Sequence, residues 1–294
     1  TNRVQRILRL HHFAQLSIVS SSIQILTLTL TLTLRLLDPI PLSPFATTMS
    51  GRMGYVKFGG GDVESGPQPL YPAMLESPEL RWAFIRKIYV ILAVQMVLTA
   101  AVAGVVVAVR PISHFFVSST GGVALYVVLL ICPFLLLCPL YYYHQRHPLN
   151  LFLLGLFTIS ISFAVGMSCA FTSGKVILES AILTSVVVIG LTLYTFWAAR
   201  RGYDFNFLGP FLFAAVLVLL VFSLIQILFP LGKISVMIYG GLAAVIFSGY
   251  VVYDTDNLIK RYTYDEYIWA AAVLYLDIIN LFLSLLSLFR AANN

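Results

Sequence analysis

Seven apolar segments follow one another along most of this chain, and short polar connections separate them. Each segment is long enough to cross a bilayer, because a hydrocarbon core of ~30 Å needs roughly 20 helical residues. Since the connections are short, successive helices are expected to be antiparallel neighbours. The pattern predicts an all-α integral membrane protein, a bundle of seven transmembrane helices near residues 85–109, 117–142, 149–171, 176–198, 207–229, 235–257 and 267–289.

The seventh segment carries a row of polar residues inside an otherwise apolar helix. Asp277 lies ten residues after Tyr267, and Asn280, Ser284 and Ser287 follow it at offsets of three, seven and ten. Those offsets place the four polar side chains on one helix face. A carboxylate at this depth in lipid costs several kcal/mol unless it is paired, protonated or hydrated. We therefore take this face as the candidate site, with Asn280 and Ser284 as candidate residues of an ion path.

A second acid, Asp254, lies near the end of the sixth segment. The connection to the seventh segment is short, so the two helices are expected to pack side by side. Two carboxylates in one low-dielectric site cannot both ionise cheaply, so one is expected to hold a proton near neutral pH. Loss of that proton leaves two charges that repel each other and attract a hard cation such as Ca²⁺. The residues thus predict a gate and weak Ca²⁺ site at Asp254 and Asp277, closed at acidic pH and more permeable as pH rises.

Simpler roles for these acids remain open. Asp277 can serve packing alone, since polar contacts between membrane helices often contribute only about 0.6 kcal/mol. Asp254, close to a helix end, can face the lipid headgroups. Asp256 is expected to be a solvated charge at the turn, together with Asp265 and Glu266.

The first 80 residues differ in pattern from the rest. Residues 1–48 contain a Thr-Leu alternation that suits neither an amphipathic helix nor a membrane helix. They are expected to be a leader, either a signal or transit peptide or a translated segment upstream of a start at Met49 or Met53, and to lie outside the fold. Residues 49–80, rich in Gly, Pro and Ser, are expected to be a disordered cytosolic tail. The membrane domain is then 81–294.

Composition supports the membrane assignment and excludes other classes. Charged residues make up 10% and hydrophobic residues 60% of the chain, whereas soluble domains carry about 25% charged residues. The net charge of +6 arises from basic residues between apolar segments, without a basic patch that interleaves aromatics, so nucleic-acid binding is not expected. The three cysteines lie inside apolar segments, so no disulfide framework is implied. No resident cofactor is expected.

The basic residues at the segment ends predict the orientation. Eight of them fall on the side of the N-terminal tail and four on the other side. Because positive charges are retained on the cytosolic side, the N-terminus is expected to be cytosolic. The eight are Arg81, Arg86, Lys87, Arg146, Arg200, Arg201, Lys260 and Arg261, and the four are Arg110, Lys175, Lys233 and Arg290.

Two motifs give the chain a family resemblance. Tyr253-Asp254-Thr255 and the run from Leu274 to Phe282 resemble the paired-aspartate motif of the Bax-inhibitor/Lifeguard family, also called transmembrane BAX inhibitor motif proteins. The similarity is greatest to the plant Lifeguard branch, and it includes Gln95, Thr99 and the Val-Ile-Leu-Glu run that ends at Glu179.

The resemblance implies an endomembrane protein, of the endoplasmic reticulum, Golgi or vacuole, that suppresses programmed cell death and lets calcium leak from internal stores. It implies that Asp254 and Asp277 are the pH-sensing pair. In relatives a basic residue at the cytosolic end of the second helix latches onto the second aspartate, and the candidates here are His144 and Arg146. The implied partners are membrane lipid, Ca²⁺ and regulators of cell death.

Competing interpretations remain. Glu179 is expected either to recruit cations at the lumenal mouth or to lie at headgroup level beside Lys175. A non-conducting adaptor whose polar stripe binds cell-death proteins is the main alternative to a channel. An intramembrane aspartyl protease is a remote one, because Leu276 rather than glycine precedes Asp277. No enzymatic activity is expected.

Overall fold

Long helices make up nearly all of the described chain. The computed structural model describes residues 21–37, 69–72, 74, 76–229 and 232–293. Within them the helices are α1 (Ser21–Leu37), α2 (Pro78–Ala108), α3 (Arg110–Ser118), α4 (Thr120–Tyr143), α5 (Leu149–Ala170), α6 (Gly174–Arg200), α7 (Leu208–Leu228), α8 (Lys233–Lys260) and α9 (Tyr267–Asn293).

The seven predicted spans are confirmed. They correspond to α2, α4, α5, α6, α7, α8 and α9, each long and apolar enough to cross a membrane. The short helix α3 was not predicted and joins the first two spans. The predicted tail at 49–80 falls mostly outside the described residues, and α2 begins at Pro78, where proline suits the first helical turn.

Helix α9 lies at the centre of the bundle. It contacts α2, α5, α6 and α8, and nearly all of its side chains from Tyr267 to Ser287 are buried. Among α2 to α9, the α8–α9 pair is the most extensive helix contact. At Gly240 of α8 a Cβ atom would lie 2.9 Å from the carbonyl oxygen of Ser284, so glycine allows the close approach of the two helices.

The turn between α8 and α9 is fixed by local contacts. The carboxylate of Glu266 accepts a hydrogen bond from the Thr263 N–H at 2.8 Å, as in a capping box. Buried Arg81 at the start of α2 donates to the carbonyl oxygens of Ile259 at 2.9 Å and Tyr262 at 2.6 Å. These bonds satisfy carbonyl groups that the end of α8 leaves without intrahelical partners.

The basic helix ends predicted to share one side do lie together. The Nζ atom of Lys87 in α2 lies 3.2 Å from the ring centroid of Tyr267, and the ring of His147, after α4, stacks on the same ring. Arg261, after α8, pairs with Asp204, after α6, at 2.6 Å. The ends of α2, α4, α6 and α8 therefore meet at one face of the bundle, next to the start of α9.

Candidate functional site

The turn brings the two predicted acids to the same depth in the bundle. Asp254 lies six residues before the end of α8, and Asp277 lies ten residues after the start of α9. Their side chains are 2% and 0% exposed. Neither carboxyl group reaches bulk solvent, so each needs a partner inside the protein.

That shared partner is Arg35 of α1. Its Nη1 and Nη2 atoms both hydrogen-bond to the Asp254 carboxylate. Its Nη2 atom also lies 3.1 Å from both carboxylate oxygens of Asp277. One guanidinium therefore joins the two acids, in the forked geometry that suits carboxylates.

Aromatic rings complete the surroundings of this guanidinium. Its Cζ atom lies 4.3 Å from the ring centroid of Tyr250 and 5.9 Å from that of Tyr253, both on α8. The quadrupole of such rings attracts a cation, more strongly where water is excluded. Among the described residues, the charged and titratable groups that face the pair are thus Arg35, Tyr250 and Tyr253.

Helix α1 departs from the expectation that residues 1–48 lie outside the fold. Residues 21–37 form a helix inside the bundle, while 1–20 and 38–48 lie outside the described residues. The Thr-Leu alternation is compatible with a buried helix because each threonine hydroxyl donates to a carbonyl one turn back, as Thr29 does to Ile25 at 2.7 Å and Thr33 to Thr29 at 2.8 Å. With its hydroxyls satisfied, the helix can be buried on most sides, and only the face of Ile25, Thr29, Thr33 and Leu36 is more exposed.

The predicted polar row of α9 faces α1. The Asn280 amide donates to the Thr31 hydroxyl at 3.0 Å and to the Leu276 carbonyl at 2.8 Å. Ser287 accepts from the Gln24 amide at 2.6 Å. Ser284 donates to the carbonyl of Asn280 at 2.6 Å. Of the two residues expected to line an ion path, Asn280 is therefore packed against α1, whereas Ser284 bonds to the backbone of α9.

The other predicted site residues lie apart from the acids. Glu179, near the start of α6, is 41% exposed and pairs with Lys175 at 3.7 Å. His144 follows the last residue of α4, and its Nδ1 lies 2.6 Å from the carbonyl of Tyr141. Arg146 lies over the ring of Tyr143 at 5.6 Å. In the described part of the chain, the contact with Asp277 that was predicted for a basic latch is made by Arg35 of α1.

Asp256 differs from its prediction as a solvated turn charge. It is fully buried, forms an ion pair with Lys260 at 2.5 Å and accepts a hydrogen bond from the Phe205 N–H at 3.3 Å. The reason is that α8 continues to Lys260, so Asp256 lies within the helix and under the loop that follows α6.

A second polar cluster lies on another face of α9. The Tyr275 hydroxyl is 2.8 Å from that of Thr99, which accepts from Ser162 at 3.1 Å. One turn away, Gln95 donates to Thr158 at 3.0 Å. This cluster joins α2, α5 and α9. It gives the two positions of α2 that carry the family resemblance a role in helix packing.

The described residues show a closed arrangement. They contain no group of three or more His, Cys, Asp or Glu side chains arranged to hold a metal ion. A cavity of about 900 Å³ lies between α2, α5, α6 and α9, and its lining does not include Asp254 or Asp277. The two acids are thus buried and do not border this cavity.

Comparisons with known proteins agree with the resemblance. The family described as "Inhibitor of apoptosis-promoting Bax1" matches residues 81–294. Protein LIFEGUARD 2 of Arabidopsis thaliana is 70% identical over 233 residues, which cover 79% of this chain and 98% of that protein. Protein lifeguard 4 of Mus musculus is 36% identical over 74% of this chain and 88% of its own length. The Golgi anti-apoptotic protein of Vaccinia virus (strain Lister) is 35% identical over 74% of this chain and 89% of its own length. The chain belongs to the Bax inhibitor family, in its plant Lifeguard branch.

Proposed function

We propose that this protein suppresses programmed cell death from an endomembrane by acting as a pH-sensitive calcium leak, gated by Asp254 and Asp277. The observation that carries the proposal is the pair itself, two buried carboxyl groups on adjacent helices that share one cation. The cell-death role is supported by the family and by a relative named Golgi anti-apoptotic protein. The endoplasmic reticulum, the Golgi and the vacuole all fit, with the N-terminus cytosolic by the distribution of positive charge.

The charge count around the pair supports the predicted direction of gating. With one proton on the two carboxyl groups, their single negative charge is balanced by Arg35, so the site is neutral. When that proton is lost, one net negative charge remains in an apolar bundle. An unbalanced charge is costly there, and the site can lower that cost by admitting water or a cation. Higher pH therefore favours the open form.

The donor set supports calcium as the permeant ion. Carboxylate and amide oxygens are hard ligands that suit Ca²⁺, and two carboxylates with Asn280 and water would bind it weakly enough to release it. A leak needs such weak binding, because an ion that is held tightly does not leave. Calcium is thus cargo, while Asp254 and Asp277 hold or lose the proton.

Liposomes that contain the purified full chain and a calcium-sensitive dye test the proposal. Calcium flux should rise as the pH is raised, and Asp254→Asn/Asp277→Asn should abolish that rise. The matched control is Asp204→Asn, which removes an exposed acid outside the spans. Equal pH dependence in the double variant and the control would refute the gate.

A non-conducting adaptor is the second candidate, because the polar row of α9 here contacts another membrane helix, α1. A groove that accepts one helix in this way can accept the helix of a partner. Liposomes without flux, together with cell-death proteins that co-purify with the full chain but not with Asn280→Leu, would favour it. A protease role is disfavoured, since Arg35 lies where an aspartyl protease needs a water between its acids.

A further inference from the structure

Helix α1 fills a groove of the bundle in which it contacts α8 and α9. Its leucines pack on more than one side: Leu28 and Leu32 contact a core cluster formed by α7, α8 and α9, whereas Leu26, Leu30 and Leu34 belong to the main core. All five are less than 10% exposed. The helix is therefore embedded in the bundle over most of its surface, and the face that carries Ile25, Thr29 and Leu36 is the more exposed one.

The polar contacts between α1 and α9 are in register. Gln24 contacts Ser287, Thr31 contacts Asn280, and Arg35 contacts Asp277, so numbers rise along α1 as they fall along α9. At 1.5 Å per residue the contacts span about 16 Å on α1 and about 15 Å on α9. The matching spans show two antiparallel helices whose polar side chains pair layer by layer.

The register ends at the proposed gate. Arg35 supplies a positive charge to the two carboxyl groups that the gate would otherwise offer to calcium. Its guanidinium bonds to both acids and stacks on Tyr250. A divalent cation and this guanidinium cannot occupy the same oxygens together, because both need the same negative charge.

This occupant lies outside the part of the chain that matches the family. The match begins at residue 81, and α1 ends at Leu37. The acids and the polar row of α9 lie inside the match. The groove therefore belongs to the family-matched bundle, while the helix that fills it is additional.

We propose that α1 is an intramolecular plug of the calcium path, in which Arg35 competes with Ca²⁺ for Asp254 and Asp277. This inference rests on the proposed function, since it names the regulation of the same site. While α1 is docked, the path is blocked by its side chains and the acids are neutralised. Movement of α1 out of the groove, or loss of its charge, exposes them.

Cross-linking of the full chain tests whether α1 is docked without using flux. Cysteines replace Gln24 and Ser287, whose side chains touch at 2.6 Å, in a background with the native cysteines changed to alanine. A short, reducible bis-thiol reagent should link them in high yield. The control pair is Leu36 with Ser287. Leu36 follows Arg35, which contacts Asp277, and Asp277 lies ten residues before Ser287, so the two control positions are about 15 Å apart along the helix axis. Equal yields from the two pairs would overturn the docked helix.

Flux through the linked protein tests the plug. Linking Gln24→Cys to Ser287→Cys should abolish calcium flux, and cutting the linker with a reductant should restore it in the same liposomes. Arg35→Gln should raise flux roughly tenfold, the effect of about 1.4 kcal/mol on an equilibrium. Restoration by the reductant shows that the linked protein is folded, so the test does not depend on the stability of the Arg35 variant.

The outcomes separate the two proposals. If linked and released protein conduct equally, and Asp254→Asn/Asp277→Asn still abolishes the pH response, the plug is refuted and the leak stands. If linkage stops the flux, but Asp254→Asn/Asp277→Asn does not change its pH response, then the groove is the path. In that case both the proposed gate and the competition of Arg35 with Ca²⁺ at the acids are wrong. If no form of the protein conducts calcium, although α1 is cross-linked in high yield, then both the leak and the plug are refuted.

Discussion

Replacement of Arg35 should destabilise the folded protein more than replacement of either acid. Arg35→Gln leaves two buried acids without a cation, and breaking a buried pair in this way costs about 3–5 kcal/mol. Asp254→Asn leaves Arg35 beside Asp277, so one positive charge still meets one negative charge. We expect its cost to be closer to that of lost hydrogen bonds to a charged group, about 1.5–3 kcal/mol.

The double variant gives the sharpest expectation. In Arg35→Gln/Asp254→Asn, Asp277 is the single acid left at the site, and one protonated carboxyl group is cheaper to bury than two acids that compete for protons. The double variant should therefore be at least as stable as Arg35→Gln alone, although it carries an additional mutation. Independent sites would instead give the sum of the two losses.

Thermal unfolding of the full chain in detergent measures these differences. For proteins of this size about 1 kcal/mol moves Tm by roughly 2–4 °C, so Arg35→Gln should lower Tm by about 6–20 °C. The deficit should shrink at pH 5 relative to pH 8, because protonation removes the unbalanced negative charge. The matched control is Lys175→Gln, which breaks an exposed ion pair at 3.7 Å and should cost less than about 1 kcal/mol.

Two results would refute this reasoning. Equal small shifts for Arg35→Gln and Lys175→Gln would mean that Arg35 is not buried between the acids in the membrane protein. A double variant that loses the full sum of its single losses would mean that Arg35 and Asp254 act separately.

Three further changes test the packing and electrostatics around the site. Gly240→Val should separate α8 from α9 and lower the free energy of unfolding by about 1–3 kcal/mol. The control is Gly241→Ala, which should be neutral or stabilising because its Cβ would meet no described atom within 4 Å. Equal thermal stability of the two variants would contradict the close approach of α8 and α9. Tyr275→Phe removes the 2.8 Å contact with the Thr99 hydroxyl and should lower the free energy of unfolding by about 0.5–1.5 kcal/mol in the same assay. An unchanged stability would mean that this hydrogen bond does not help to hold α2 and α9 together. Burial raises the pKa of Asp204, but Arg261, the Asn206 N–H and Lys260 lower it more, so the net pKa lies below the usual value. The ionised Asp204 should therefore stabilise the fold above its unfolded-state pKa, and this stabilisation should be lost as the pH falls through its folded-state pKa. Asp204→Asn should remove this loss of stability at acidic pH, at a cost under about 1 kcal/mol because the side chain is 58% exposed.

The number of spans and the pairing of α8 with α9 could be predicted because they depend on local pattern. Apolar length gives the spans, and a short connection forces neighbours. The polar row at Asp277, Asn280 and Ser287 could also be predicted to face away from lipid, because its spacing is helical. The partner that this polar row faces could not be predicted, since the sequence pattern alone does not distinguish a water-filled path from another helix.

Arg35 was missed although the rule that identified Asp277 applies to it as well. It follows the 12 uncharged residues Ile23–Leu34 and precedes Leu36 and Leu37, and a charge in such a segment needs a partner. The alternation of Thr and Leu hid the run, because a period of two argues against a helix with one apolar face. The argument does not hold for a helix that is buried over most of its surface, as α1 is, because threonines and leucines are then buried together and only a narrow face is left more exposed. Threonine is tolerated there because its hydroxyl bonds to its own backbone, as Thr31 does to Thr27 at 2.9 Å.

The same physics decides how firmly α1 can hold the gate shut. Buried polar contacts between membrane helices are individually weak, on average about 0.6 kcal/mol, so the bonds at Gln24 and Thr31 cannot fix α1 by themselves. The larger part must come from Arg35, whose removal from the acids would leave charges of both signs unpaired. A change that lowers the negative charge of the acids, or supplies another cation to them, therefore acts on the strongest contact that α1 makes. For that reason calcium, rather than a change in the leucine packing, is the expected signal that releases the helix.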